Sequence, residues 1–145
     1  MFDKLNYIEL SGEKYPIKCD IIVLEEIQDE YESLQEFENG IRGFVPNRDE
    51  DGEIIINEEG LMTGTSGTPN IKMLNKALVW MVKEGIEIAK EAGGDCAEIT
   101  EKTLLRKVDL PPRELGQLLH EEFLRCFARK NQNTTQGEKA KNQKG

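Results

Sequence analysis

From Thr68 to Ala92 the apolar residues recur at helical spacing, and Ile71, Leu74, Ala77, Leu78, Val79, Met81, Val82, Gly85, Ile86, Ile88, Ala89 and Ala92 fall on one arc. At 100° per residue that arc covers roughly 200° of the helical wheel, about twice the stripe of a helix that lies on a surface. The pattern predicts a central helix covered from two sides. Thr68-Pro69 supplies its start and Gly93-Gly94 its stop. Gly85 interrupts the arc where alanine would favour the helix by about 1 kcal/mol, which predicts that another backbone crosses there. On the polar side Lys76, Lys83, Lys90, Glu84, Glu87 and Glu91 surround Met73 and Trp80, seven residues apart. Two readings follow: the segment from Gly40 to Gly67 folds over this pair, or the pair is a partly exposed anchor ringed by charge, as at the centre of a binding patch.

Upstream, Leu5 to Leu10 and Lys14 to Cys19 alternate around Ser11-Gly12-Glu13 as a β-hairpin, with Pro16 placing the second strand at an edge. At Asp20 the period changes from two to 3.6, predicting a helix capped by Asp20 and running to about Asn39. Val23, Leu24, Ile27, Tyr31, Leu34 and Phe37 share its inner face, and Glu25, Asp29, Glu32 and Glu36 its outer one without a basic partner. From Gly40 to Gly67 periodicity is lost; an acidic insertion is expected, with a small hairpin turning at Asp51-Gly52 and no internal repeat. Asp95 and Glu98 are spaced as a capping box for a short helix containing Ile99, Leu104 and Leu105. Pro111-Pro112 starts a last helix reaching about Lys130, with Leu115, Leu118, Leu119, Phe123, Cys126 and Phe127 inward and Glu121 paired to Arg125 outside. The expected architecture is α+β and helix-dominated: one domain over residues 1–130, the insertion at 40–67, and a disordered polar tail at 131–145.

Charge adds an asymmetry. The net charge is −9, yet from Asp20 to Gly60 fourteen acidic residues face only Arg42 and Arg48, a local −12 that leaves +3 for the rest. Such a body repels nucleic acid and anionic membrane. No apolar run spans a bilayer and the N-terminus has no secretory signal pattern, so a cytoplasmic protein is expected. Cys19, Cys96 and Cys126 fit neither a disulfide framework nor a zinc motif and read as free thiols.

The sharpest chemical motif is the stretch from Asn47 to Glu58. It places Asn47, Asp49, Asp51 and Glu53 near the ligand positions of a twelve-residue EF-hand-like calcium loop, Gly52 at its turn and Glu58 at its bidentate end. Asn47 at the first position and Pro46 in the entering segment argue against it, and an acidic hairpin tip has the same letters. Gly64-Thr65-Ser66-Gly67-Thr68 lacks the lysine of a phosphate-binding loop. His120 is the only histidine, with no nucleophile paired to it, so no catalytic residue, resident metal or cofactor is expected.

The opening YIELSGEKYPIKCDIIVLEEIQDEYESL, with IKMLNKALVWMVKEGIEIA and LPPRELGQLLHEEFLRCF after it, resembles the tail assembly chaperones of long-tailed, siphovirus-type bacteriophages and prophages over residues 5–128. The insertion from Arg42 to Thr65 departs from that family's pattern. The resemblance implies a non-enzymatic protein of the bacterial host cytoplasm that coats the tape-measure protein, keeps its hydrophobic helices soluble and delivers tail-tube subunits. On that reading the partner-binding residues are Trp80, Met73, Lys76, Lys83 and Glu84 with Glu25, Asp29, Glu32 and Glu36, and self-association is expected. A single calcium-binding module and a generic cytoplasmic adaptor are the alternatives.

Overall fold

In the computed structural model, which describes residues 5–94 and 98–128, everything is arranged around the helix α3, Ile71–Glu91. Asn70, not Thr68, caps it: its side-chain oxygen accepts from the Met73 amide at 3.1 Å. The stop is as read, with Gly93 in the left-handed region at φ +89. Met73, Leu74, Ala77, Leu78, Val79, Met81, Val82, Gly85 and Ile86 are buried, a wider buried arc than one covering layer would produce.

One cover is a hairpin, β1 Asn6–Leu10 and β2 Glu13–Ile17, antiparallel with Ile8 opposite Tyr15. Ser11 and Gly12 both take positive φ (51 and 81), the geometry of a two-residue turn whose twist matches the strands. Lys107 fixes the turn from outside, its carbonyl accepting from Ser11 Oγ at 2.7 Å and its Nζ meeting Glu13 at 2.7 Å. β2 passes directly over Gly85, where a Cβ would overlap the Pro16 carbonyl, and the Lys18 amide then bonds to the Met81 carbonyl of α3 at 3.0 Å. The crossing expected from Gly85 is present.

The single helix expected from Asp20 to Asn39 is instead two: α1, Ile21–Glu30, and α2, Leu34–Arg42. Asp20 caps α1, but Tyr31 leaves it in an extended conformation, and Ser33 caps α2 by accepting from the Glu36 amide at 3.0 Å. Ser33 and Glu36 have the spacing of a capping box. The break lets Tyr31 pack edge-on against Trp80 (6.3 Å) and Phe37 reach Phe123 (5.3 Å). α2 closes on Gly43, φ +74.

The insertion is a small cloverleaf. Its stem pairs β3, Phe44–Pro46, with β4, Gly64–Ser66. Above the stem two tight hairpins carry the bridges Arg48 to Ile54 and Ile56 to Met62. Three residues at eight-residue steps join stem and leaves through a closed ring of backbone bonds: Asn47 donates to Thr63 (2.9 Å), Thr63 to Ile55 (3.4 Å) and Ile55 to Asn47 (2.9 Å). The leaves repeat each other. Asp49 Oδ1 accepts from the amides of Asp51 and Glu53, and Asn57 Oδ1 from those of Glu59 and Leu61, while Gly52 and Gly60 share a φ near +82. The expected turn at Asp51-Gly52 is there, but an eight-residue repeat is present where none was expected. Arg113 ties the stem to the body through Ser66 Oγ (3.3 Å) and the Gly67 carbonyl (3.1 Å).

α4, Glu101–Arg106, is capped by Thr100, which accepts from the Thr103 amide, so the box read at Asp95 and Glu98 does not open it. Asp95 and Cys96 lie outside the described residues. Pro112 begins α5, Pro112–Arg125, which stops short of Lys130. Leu115, Leu119 and Phe123 point inward as read, but Leu118 and Phe127 are exposed. Arg125 pairs with Glu122 rather than Glu121, because Glu122, not Glu121, faces the core. The tail expected at 131–145 lies outside the described residues. Helices dominate two small antiparallel hairpins, the α+β arrangement expected.

Candidate functional site

α1 carries the most exposed apolar pair next to unpaired charge. Val23, Leu24 and Ile27 use up its inward face, which turns Ile21 and Ile22 outward at 76% and 54% exposure. Together with Leu24, Glu25, Gln28 and Leu34 they line a groove of about 390 Å³ between α1 and the start of α2. Asp29 and Glu32 follow on the solvent side of α1 and its end, and Glu36 lies in the first turn of α2. The nearby basic groups Lys76 and His120 are paired with other carboxylates, Lys76 with Glu30 at 3.1 Å and His120 with Glu38 at 2.7 Å. Glu25, Asp29, Glu32 and Glu36 therefore form a local anionic field beside an apolar groove.

The acidic set expected to bind a partner is thus brought together around the break, but not with the apolar anchor expected for it. Met73 is buried at 6% exposure beneath α2, against Gly40, where a Cβ would overlap its sulfur. Trp80 is half-buried beside Tyr31. The cover is α2, with Gly40 on Met73, and Tyr31 on Trp80. Trp80 instead lines a cleft of about 210 Å³ with Glu26, Val79, Lys83, Glu84, Glu87 and Glu101. Within it burial, and next a hydrogen bond to Asp20, push the Glu84 carboxyl up to about 8. Ile21 and Ile22 carry no signal in the apolar periodicity, because the inward face of α1 is defined by Val23, Leu24 and Ile27 and the two isoleucines precede it at the helix start.

The calcium-loop residues do not form one loop. Asp49, Asp51 and Glu53 belong to the first leaf and Glu58 to the second, Asp49 spends an oxygen on two amides, and Asn47 Nδ2 donates to Thr63 Oγ1 at 3.3 Å. No group of three or more His, Cys, Asp and Glu side chains among the described residues converges as a metal site. His120 stacks on Phe123 and pairs with Glu38, a structural tie between α5 and α2. Among the described residues no helix is long and apolar enough to cross a membrane.

No protein-family model matches the chain, and comparison with curated proteins and with solved structures finds no significant match.

Proposed function

We propose that this chain is a non-enzymatic tail assembly chaperone that holds helical segments of a phage tape-measure protein and promotes assembly of the tail tube. The reading rests on the resemblance of residues 5–128 and on one observation: Ile21 and Ile22 stand exposed over a groove bordered by carboxylates without basic partners. The occupant that fits is an amphipathic helix whose apolar stripe is flanked by Lys and Arg. Its apolar side chains enter beside Leu24 and Leu34, and its basic flanks meet Glu25, Asp29, Glu32 and Glu36. Lys76, Lys83 and Glu84 lie on α3 and do not line this groove.

The test is a titration with amphipathic helical peptides from a siphovirus tape-measure protein, read by fluorescence anisotropy. Ile21→Ser with Ile22→Ser should weaken binding at least tenfold, about 1.4 kcal/mol, with the circular dichroism spectrum unchanged because both side chains are more than half exposed. Higher salt should weaken binding further. Equal binding by the double variant, or binding that salt does not change, overturns the assignment of this face.

A further inference from the structure

The end of α5 lies beside the α1 groove. Glu122 accepts from the Cys19 amide at 3.2 Å, and α1 starts two residues after Cys19, at Ile21. Further along, Phe127 meets Phe123 edge-on at 5.1 Å, and Phe123 lies against Phe37 of α2 at 5.3 Å. The chain up to Ala128 therefore finishes between the root of α1 and α2, the two helices that frame the groove. The other end of α5 is at the insertion, where Arg113 reaches Ser66 at 3.3 Å. From Arg113 to Arg125 the helix rises about 18 Å, which carries the chain away from the acidic leaves.

The residues that follow are complementary to the groove in charge. Residues 129–145 hold Arg129, Lys130, Lys139, Lys141 and Lys144 against Glu138 alone, a net +4, and no large apolar residue. The rim of the groove holds Glu25, Asp29, Glu32 and Glu36, all exposed. Glu25 and Asp29 stand one turn apart on α1 and repel each other, so a cation between them is favoured. Reach is ample: α1 is about 15 Å long, and residues 129–145 extend up to about 55 Å.

We propose that residues 129–145 dock by charge on this rim within the same chain and hold it against ligands that bring positive charge alone. Tethering gives the segment a local concentration on the order of mM, which a free cationic ligand must exceed. The segment has nothing with which to fill the apolar floor, so Ile21, Ile22, Leu24 and Leu34 stay open. A helix that brings apolar side chains as well as basic flanks gains a burial that the segment lacks, and displaces it. Displacement by a client rests on the function proposed above, whereas the docking stands on charge and position.

The test treats the full chain, dilute and without client, with a carbodiimide, which joins a lysine amine to a carboxylate in contact with it, and reads the product by gel and peptide mapping. Expected are links within one molecule from Lys139, Lys141 or Lys144 to Glu25, Asp29, Glu32 or Glu36, lost in strong salt. In the full chain carrying Arg129→Gln, Lys130→Gln, Lys139→Gln, Lys141→Gln and Lys144→Gln, amide shifts should change at residues 21–36 and not at 47–62. Acetylated tetra-arginine at equal concentration should leave the links in place, and the amphipathic peptide of the titration above should remove them. Links spread equally over Asp49, Asp51 and Glu53, links only between molecules, or links that tetra-arginine removes overturn the proposal. So do links that survive saturation by a peptide shown to bind. Because the mapping contains no client, the docking can fail while peptide binding at Ile21 and Ile22 holds.

Discussion

The Pro16 carbonyl of the hairpin rests on the α carbon of Gly85, and a side chain there would also come within 2.8 Å of the Ile17 nitrogen. Backbone on both sides leaves nothing to rotate away. Gly85→Ala should gain about 1 kcal/mol of helix propensity and lose more through overpacking, whose usual cost is about 1–3 kcal/mol. Urea denaturation should show a net loss of stability; a stabilised variant would mean that the hairpin can lift off α3 at no cost.

Glu122→Ala removes the acceptor that satisfies the buried Cys19 amide and Asn6 together. A loss of about 2 kcal/mol or more is expected, the cost of leaving buried donors without partners. Glu122→Gln keeps an acceptor oxygen and should lose less. Equal midpoints for the parent and the alanine variant in denaturant would show that water replaces the carboxylate.

Glu84 sets a pH dependence. Its carboxyl is raised from 4.5 in the unfolded chain to about 8 in the fold, first by burial and then by the hydrogen bond to Asp20, with Asp20, Glu91 and Glu87 adding repulsion. Between those values the folded state binds the extra proton, so stability falls as pH rises through this window and is level outside it. Thermal melts from pH 5 to about 8.5 should show a declining midpoint, and Glu84→Gln, neutral throughout, should flatten the decline. A parent protein whose stability rises with pH over the same range would refute the shared proton.

Ser33→Ala tests the break between α1 and α2. Loss of the side-chain bond to the Glu36 amide should cost about 1 kcal/mol, and helical content should not increase. An increase, from α1 and α2 fusing, would show that Ser33 alone keeps them apart.

The break also shows where reading the chain by periodicity stops working. Val23, Leu24, Ile27, Tyr31, Leu34 and Phe37 keep helical spacing straight through it, so the pattern of apolar positions is blind to it. Its local signal was Ser33 with Glu36. The central helix, the hairpin and the crossing at Gly85 were legible because each depends on near neighbours in sequence or on one residue type that only a close approach explains. The repeat in the insertion is carried by Asp49 and Asn57 as acceptors and by Gly52 and Gly60 in the left-handed region, not by apolar spacing. The bonds of Glu122 to the Cys19 amide and to Asn6 needed the tertiary fold. The acidic half of the candidate site was legible as charge, whereas its apolar half was sought on α3 and stands on α1.

Where the cloverleaf meets the body, the Gly67 amide bonds to the Gly43 carbonyl at 2.6 Å. The chain therefore leaves and re-enters the body at one point, and the segment between is a cassette spliced into a circuit that is already closed. Because that junction is closed below the leaves, replacing both leaves together by a foreign peptide should leave the path of α2 and α3 unchanged, whereas removing one leaf alone would open the ring of Asn47, Ile55 and Thr63.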